Sequence, residues 1–340
     1  MKFIVGYPNQ PSAEFIDELI KARDRIKEVY FSFSDMPSGR SSAVSHETRE
    51  ELEARQLYDI GRIADAGIAL NLLFNGNCYG QDSLSRSLFN RIGDITDMFF
   101  TEYGLRSVTT SSPIIAKFLK TNFEGIDVRA SVNMEIGTPE ALDYLCSEFD
   151  SFYLKRELNR NLDALIRMKG HAFLRGKKMY LLANSGCLNF CSARTFHDNL
   201  VSHEREILAA DNGYSFVGIC KEYLKSKESR DTWLSKTNFI RPEDMHLYDE
   251  LTDAVKLATR VNPRPARILR AYLSGSFGGA MTDYLEPSHT DTFYPEYIDN
   301  SKIPEDFMNT VFGCDKRCES CGYCSLVQSR ATVKIDDKYL

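Results

Sequence analysis

The sequence predicts an α/β fold: a TIM-barrel-like (β/α)8 domain over residues 1–275 and an irregular, cysteine-rich C-terminal extension over 276–340. Three observations predict it. Short apolar β-type runs alternate with helical patterns over the first 260 residues, which argues for a parallel sheet covered by helices. The runs number eight, and a closed barrel is the simplest arrangement of eight such strands, with a doubly wound open sheet as the alternative. After Tyr272 the alternation stops.

The candidate strands are Lys2–Tyr7, Glu28–Phe33, Gly67–Phe74, Ser107–Ser111, Asp127–Ile136, Ser151–Lys155, Lys178–Ala183 and Ala254–Thr259. The first helix, "SAEFIDELIKARDRI", sets Phe15, Ile16, Leu19, Ile20 and Ile26 at helical spacing, with Glu14, Asp17, Glu18, Lys21 and Arg25 opposite. "HETREELEARQLYDIGRIADA" and "SPIIAKFLKTNF" are further helical stretches. The segment from Ser192 to Asp253 is long for one crossover and is expected to carry extra elements over one face. "SGSFGGAMTDYLEPSHTDTFYPEYIDNSKIPEDF" is rich in Gly, Pro, Ser, Asp and Tyr and reads as an arm wrapping the domain.

The apolar share of 43% with 26% charged residues is that of a soluble globular protein. No apolar run approaches the roughly 20 residues that span a bilayer, so membrane insertion is not expected. "MKFIVGYPNQ" reads as a first strand, not a signal peptide, and a cytoplasmic location is expected. A formal charge of −6 argues against a broad surface for nucleic acid, whose affinity comes from neutralised phosphates. A local RNA contact is still compatible with it.

In a reducing compartment, nine clustered cysteines point to metal or catalysis before disulfides. Cys146, in "ALDYLCSEF", lies on an apolar helical face and reads as core. Cys314, Cys318, Cys321 and Cys324 form C-x3-C-x2-C-x2-C, which resembles the compact loops that hold cubane iron–sulfur clusters; structural zinc is the alternative. The third set is Cys78, Cys187, Cys191 and Cys220. Cys187 and Cys191 in "NSGCLNFCSARTFH" follow the seventh strand and Cys78 follows the third, so a parallel barrel opens both ends on one face. Cys220 from the long excursion supplies a fourth thiol. A 4Fe–4S cluster suits the set; a zinc half-site completed by His197 and His203 is the bland alternative.

At these residues the chain resembles a known family. "VYFSFSD", "FYLKRELNRNLDAL", "YLLANSGCLNFCSARTFH", the later Cys220 and "FIRPEDMHLYDELTDAVKLATR" look like the collagenase-like peptidases of U-type family thirty-two, over roughly residues 1–275. The resemblance implies a barrel. It also implies, from relatives that hold a 4Fe–4S cluster, oxygen-independent hydroxylation of an RNA base, a quinone precursor or another small molecule. The implied cluster ligands are Cys187, Cys191 and Cys220, with Cys78 matching less closely; a second cluster at the C-terminal cysteines, a carboxylate-bearing oxygen donor and a homologous partner subunit are further expectations. The chain departs from the peptidase-labelled branch, carrying "KKMYLLANSGCLNFC" where that branch has a Glu-x-Phe-x-His-Gly-Ala-type signature. Peptidase activity and a non-catalytic zinc or iron–sulfur scaffold are the alternative readings.

Peptidase machinery is sparse. "HETRE" and "HEREI" lack the second His of a zinc peptidase helix, and "GSFGG" around Ser276 is not a nucleophile elbow. A Cys–His pair of Cys187 or Cys191 with His197 would use one thiol and idle the other. Arg241, Lys256 and Arg260 are candidates to clamp a dianionic acid, with Glu243 and Asp244 beside them; a helix N-terminus is the simpler reading of "IRPEDM". Arg264, Arg267 and Arg270 read as a solvated helix face open to RNA. Asn133, Glu135, Lys155, Arg156 and Glu157 are expected at the mouth. Glu135 or Glu157 would serve as acid or base, or pair with Arg156. Tyr7 and Asn75 are mouth residues without a role.

Overall fold

Eight parallel strands close on themselves: β1 Phe3–Gly6, β2 Ile26–Phe31, β3 Ala69–Phe74, β4 Ser107–Thr110, β5 Asp127–Ala130, β6 Ser151–Tyr153, β7 Lys178–Leu182 and β8 Ala254–Leu257. In this computed structural model, which describes residues 1–33, 36–39 and 48–335, β1 pairs with both β2 and β8, so the open-sheet alternative is excluded. The ends of "VYFSFSD" and the start of "HETRE" lie outside the described residues. Every expected strand is present and most stop earlier than the apolar run does. β5 ends at Ala130, not Ile136, because Ser131 Oγ accepts the Asn133 N–H and turns the chain into a 3-10 helix.

Period-two alternation sorts the strand residues into two cores. Phe3, Val5, Val29, Phe31, Leu70, Leu72, Phe74, Val108 and Leu181 pack outward beneath the helices, while Ile4, Tyr30, Leu73, Tyr153 and Tyr180 face the barrel lumen. The lumen is unusually polar. Glu28, Asn71, Thr109, Arg129 and Ser151 are all buried there. They satisfy one another: both Arg129 terminal nitrogens reach Glu28, Asn71 Nδ2 donates to Glu28 Oε1 at 2.7 Å, and Thr109 Oγ1 donates to Asn71 Oδ1 at 2.9 Å. A buried ion pair needs such extra hydrogen bonds to offset its desolvation.

The helices start where capping chemistry places them. Ser12 caps Ala13–Lys21, whose Phe15, Ile16 and Leu19 are buried as the spacing predicts. Thr48 and Glu51 form a capping box for Arg49–Asp65. The long excursion carries four short helices, Arg194–Ser202, Glu204–Ala209, Ile219–Tyr223 and Lys227–Asp231. "IRPEDM" opens a 3-10 helix, Pro242–Tyr248, with Glu243 and Asp244 in its first turn, so the simpler reading holds there.

The C-terminal arm is more regular than its composition suggests. It contains helices Phe307–Phe312 and Tyr323–Ala331 and an antiparallel pair, β9 Glu296–Ile298 with β10 Thr332–Lys334. Its Phe277, Met281, Tyr284, Leu285 and Phe307 belong to the same outer core as the barrel. Arg267 pairs with Asp283 of the arm and Arg270 with Glu14 and Glu18, so two of the three arginines expected on a solvated face fasten the arm and the first helix. Among the described residues no helix is long and apolar enough to cross a membrane.

Candidate functional site: the barrel mouth and the cysteine sets

Beyond β7, the buried Asn184 ties three segments together. Its Nδ2 donates to the Ala258 and Tyr284 carbonyls at 2.8 Å each, and its Oδ1 accepts the Ala258 N–H at 2.6 Å. Ser185 then bridges Glu286, and the Gly186 N–H donates to the Glu286 carbonyl at 3.1 Å. A Cβ at Gly186 would collide with the Pro287 carbonyl oxygen, so only glycine lets the arm lie this close. Across the C-x3-C loop, Leu188 bridges Thr237 and the Asn189 N–H donates to the Lys236 carbonyl at 2.7 Å.

The loop thus presents Cys187 and Cys191 on a fixed backbone. Cys220 shares their surroundings: burial first, then the charges of Cys187 and Cys191, push its thiol up from the ordinary value. Three of the four expected thiols are therefore electrostatic neighbours. The fourth is not grouped with them in the same way. Cys78 hydrogen-bonds His203, and that bond, with the Gly80 N–H at 3.4 Å from its sulfur, lowers its pKa. His203 in turn holds Glu206 through Nδ1 at 2.6 Å, and its pKa is raised by Cys78 and then by Glu206. The Asn77 N–H donates to Ser202 Oγ at 2.8 Å, which fastens the Cys78 loop to the end of the helix that precedes His203. His197 packs edge-on against Phe216, 5.6 Å between ring centres.

Behind the loop is an ion network that sequence reasoning only half anticipated. Arg156 donates to Glu135 at 2.9 Å and to Asn133 at 3.3 Å, as the pairing alternative expected. Arg194 is the residue it missed. Its Nη1 lies 2.9 Å from both Glu135 oxygens, and its Nη2 lies 3.0 Å from Glu157. The Phe190 N–H also donates to Glu157 Oε1 at 3.1 Å, from a residue at φ 52°. Burial alone would raise Glu157, but Arg194 and the Phe190 amide outweigh it and hold the carboxyl below its usual range. Both glutamates are thus tied into ion pairs; the only sequence hint of Arg194 is its place three residues after Cys191.

Of the expected Arg241–Lys256–Arg260 clamp, Lys256 and Arg260 both stand over the Tyr30 ring, while Arg241 is engaged elsewhere. Arg241 is buried in a two-pronged pair with Asp244, at 2.8 and 2.7 Å, and donates to the Pro304 carbonyl. Glu243 accepts from the Phe277 N–H at 2.7 Å and from Asn300 at 2.9 Å, so both residues hold the arm. Lys256 is inside the barrel, over the Tyr30 ring, and Arg260 stands at the end of β8 with Ser38 Oγ 3.4 Å away. Tyr7 donates to Asp59 at 2.9 Å, and Asn75 accepts the Gly39 N–H at 3.2 Å. Lys155 lies against Gly137, where any Cβ would meet its chain.

Three of the C-terminal cysteines, Cys314, Cys318 and Cys324, share the electrostatic surroundings of Arg160 and Lys316. Cys314 accepts the Lys316 N–H at 3.3 Å, in a tight turn with Lys316 at φ 64°. Burial pushes the Cys324 thiol up; Arg160 opposes this, and Cys314 and Cys318 add to it. Cys321 is exposed. Arg160, buried and bonded to the carbonyls of Leu234, Thr237 and Phe239, brings its charge against Cys324. Lys316 Nζ reaches Asn238 Oδ1 at 3.4 Å, and Asn238 bonds Asn189 in the first cysteine loop. The two cysteine sets are therefore linked through two asparagines.

Among the described residues, no three His, Cys, Asp or Glu side chains stand close enough to hold a single metal ion. Zinc would require thiolates drawn within about 2.3 Å of one centre. The donor chemistry is compatible with a thiolate-bound cluster or thiolate-bound zinc alike: both sets are sulfur-rich and carry cations that offset thiolate charge, Arg194 near Cys187 and Arg160 with Lys316 near Cys324. An amide donor points at Cys314, as the sulfurs of such clusters commonly accept.

No family model matches the chain. It is similar to the "uncharacterized protease MJ1657" of Methanocaldococcus jannaschii, 26% identical over 325 residues that span 93% of both chains. Among solved structures it is similar to the U32 peptidase Mk0906, with a TM-score of 0.55 and 15% identity over 75% of this chain and 91% of the other. The first is named only as a protease, and the second, at this low identity, shows the barrel fold.

Proposed function

We propose that this chain is an iron–sulfur-dependent enzyme that modifies a small molecule or an RNA base at the barrel mouth, by oxygen-independent hydroxylation or related chemistry. What supports the reading is that Cys187, Cys191 and Cys220, from two distant segments, are near enough to act on one another electrostatically, on the face where barrel active sites are built. These three would hold a 4Fe–4S cluster, and the C-terminal quartet a second one or zinc. Bound there, a cluster would supply Lewis acidity or single electrons. The chain's own residues do the rest. Asn184 fixes the loop, Arg194 offsets thiolate charge and anchors Glu135 and Glu157, and Arg260 offers a cation to a carboxylate-bearing donor.

The test is iron, acid-labile sulfide and the visible spectrum of protein purified without oxygen. Cys187→Ala with Cys191→Ala should remove about four iron, and Cys321→Ala with Cys324→Ala a separate set of about four. Colourless protein holding zinc and no sulfide would sink the redox reading in favour of a scaffold.

A specific arrangement favours a second reading, peptidase. Cys78, His203 and Glu206 form a thiol–imidazole–carboxylate chain, in which the carboxylate orients the ring and the ring activates the thiol. Cleavage of peptides that persists without iron and disappears in Cys78→Ser would establish it.

A further inference from the structure

Lys256 occupies an unusual place for a lysine. It lies on β8 inside the barrel, and its neighbours on that face are alanines, Ala254 and Ala258. Its side chain is 7% exposed. The ammonium nitrogen stands 4.0 Å from the Tyr30 ring centre and 4.9 Å from that of Tyr153. Among the described residues it has no ion-pair partner and no hydrogen-bond acceptor.

The charged groups around it are Glu28 from β2, Arg129 from β5, Arg156 beyond β6 and Arg260 at the end of β8. The one carboxylate among them, Glu28, is engaged by Arg129 through both oxygens. Burial, then Arg260 and Arg129, bring the Lys256 pKa down to about 7. An ordinary lysine at that pH is neutral in on the order of one molecule in a thousand. Packing alone does not call for an amine here. A methionine would fill the same stem-shaped space without the cost of an unpartnered polar head.

We propose that Lys256 is a nucleophilic amine that forms an imine with a small aldehyde or ketone bearing a carboxylate, the carboxylate lying toward Arg260. Desolvation and neighbouring cations are the means by which proteins make lysine nucleophilic. The neutral nitrogen's lone pair attacks the carbonyl carbon, and the C=O π pair moves to oxygen, which takes a proton. The nitrogen loses a proton, a second proton from solvent reaches the oxygen, and water leaves as C=N forms. The sum is amine, carbonyl and one proton going to iminium and one water, with no oxidant or reductant. Tyr30 and Tyr153 would lie against the iminium, whose charge their ring faces favour. The inference does not depend on iron at either cysteine set.

The full chain, purified without oxygen, is treated near pH 7 with glyoxylate and sodium cyanoborohydride, then digested and mapped by mass spectrometry. Propionaldehyde serves as the uncharged probe, and iron is measured on the same sample. Lys256 is expected to carry the carboxymethyl group about tenfold faster than the exposed Lys225 and Lys227, with a rate half-maximal near pH 7. Arg260→Gln should slow glyoxylate and spare propionaldehyde. Labelling confined to exposed lysines, or equal at Lys256 and Lys225, would overturn the proposal. Lys256→Met should abolish the fast adduct, and if that variant does not fold, the wild-type map alone decides. Lost adduct with intact iron would refute the imine and leave the cluster reading standing.

Discussion

Arg194 holds together a site whose parts come from three places in the chain. It joins Glu135, beyond β5, to Glu157, beyond β6, and its own helix follows directly on the C-x3-C loop. Arg194→Met leaves Glu157 buried without its cation, a loss of about 2–3 kcal/mol, reduced from the fully buried case because Glu135 is partly solvated. Urea unfolding should show it. Because Arg194 and the Phe190 amide hold Glu157 below its usual range, that stability is complete above the unfolded pKa of about 4.3 and is lost as pH falls through the folded value. The gap between wild type and variant should therefore narrow below about pH 4. A constant gap from pH 7 to pH 3 would show that Arg194 acts by packing alone.

At the scale of elements, the contact that matters most is between the turn after β7 and the arm. The Asn184 side chain donates to the Tyr284 carbonyl, Ser185 and Gly186 meet Glu286 along the backbone, and the Pro287 carbonyl leaves no room for a side chain at Gly186. Gly186→Ala should therefore displace the arm from β7 and cost about 1–3 kcal/mol, the range of an overpacked interior. Limited proteolysis between Leu285 and Thr290 should quicken in that variant. Unchanged proteolysis would mean that the backbone adjusts without releasing the arm. The element pattern itself was largely legible. The alternation that puts Val29 and Phe31 outward and Tyr30 inward is visible in "IKEVYF", since it needs only the two-residue period. The early end of β5 was not, because it depends on one hydroxyl, that of Ser131, capturing an amide two residues on.

For the molecule as a whole, the arm is a part of the barrel's core and not a tail beside it. Phe277, Tyr284, Phe293 and Phe307 are buried against barrel elements, and Glu243, expected beside the cationic clamp, instead accepts bonds from Phe277 and Asn300. A chain cut after residue 275 should lack a cooperative thermal transition, and the intact chain should unfold in a single one. A soluble 1–275 fragment melting cooperatively would show that the barrel is independent of the arm. The same arm carries the C-terminal cysteines to within a two-asparagine link of the first loop, by way of Lys316, Asn238 and Asn189. This proximity suits electron passage between two clusters, if iron is found at both.

The sequence by itself determined the eight strands, their helical crossovers and the two cysteine-bearing segments. These follow from periodicity, capping and spacing, all of which act over a few residues. Closure of the sheet decided the rest. It brought Cys220 into the electrostatic reach of Cys187 and Cys191, set Cys78 against His203, and brought Arg194 between two glutamates. It also took Arg241 into a buried pair with Asp244 and left Lys256 in the lumen with no ion-pair partner among the described residues. Each of these depends on where distant loops lie once helices and strands have packed, and no local pattern encodes that distance.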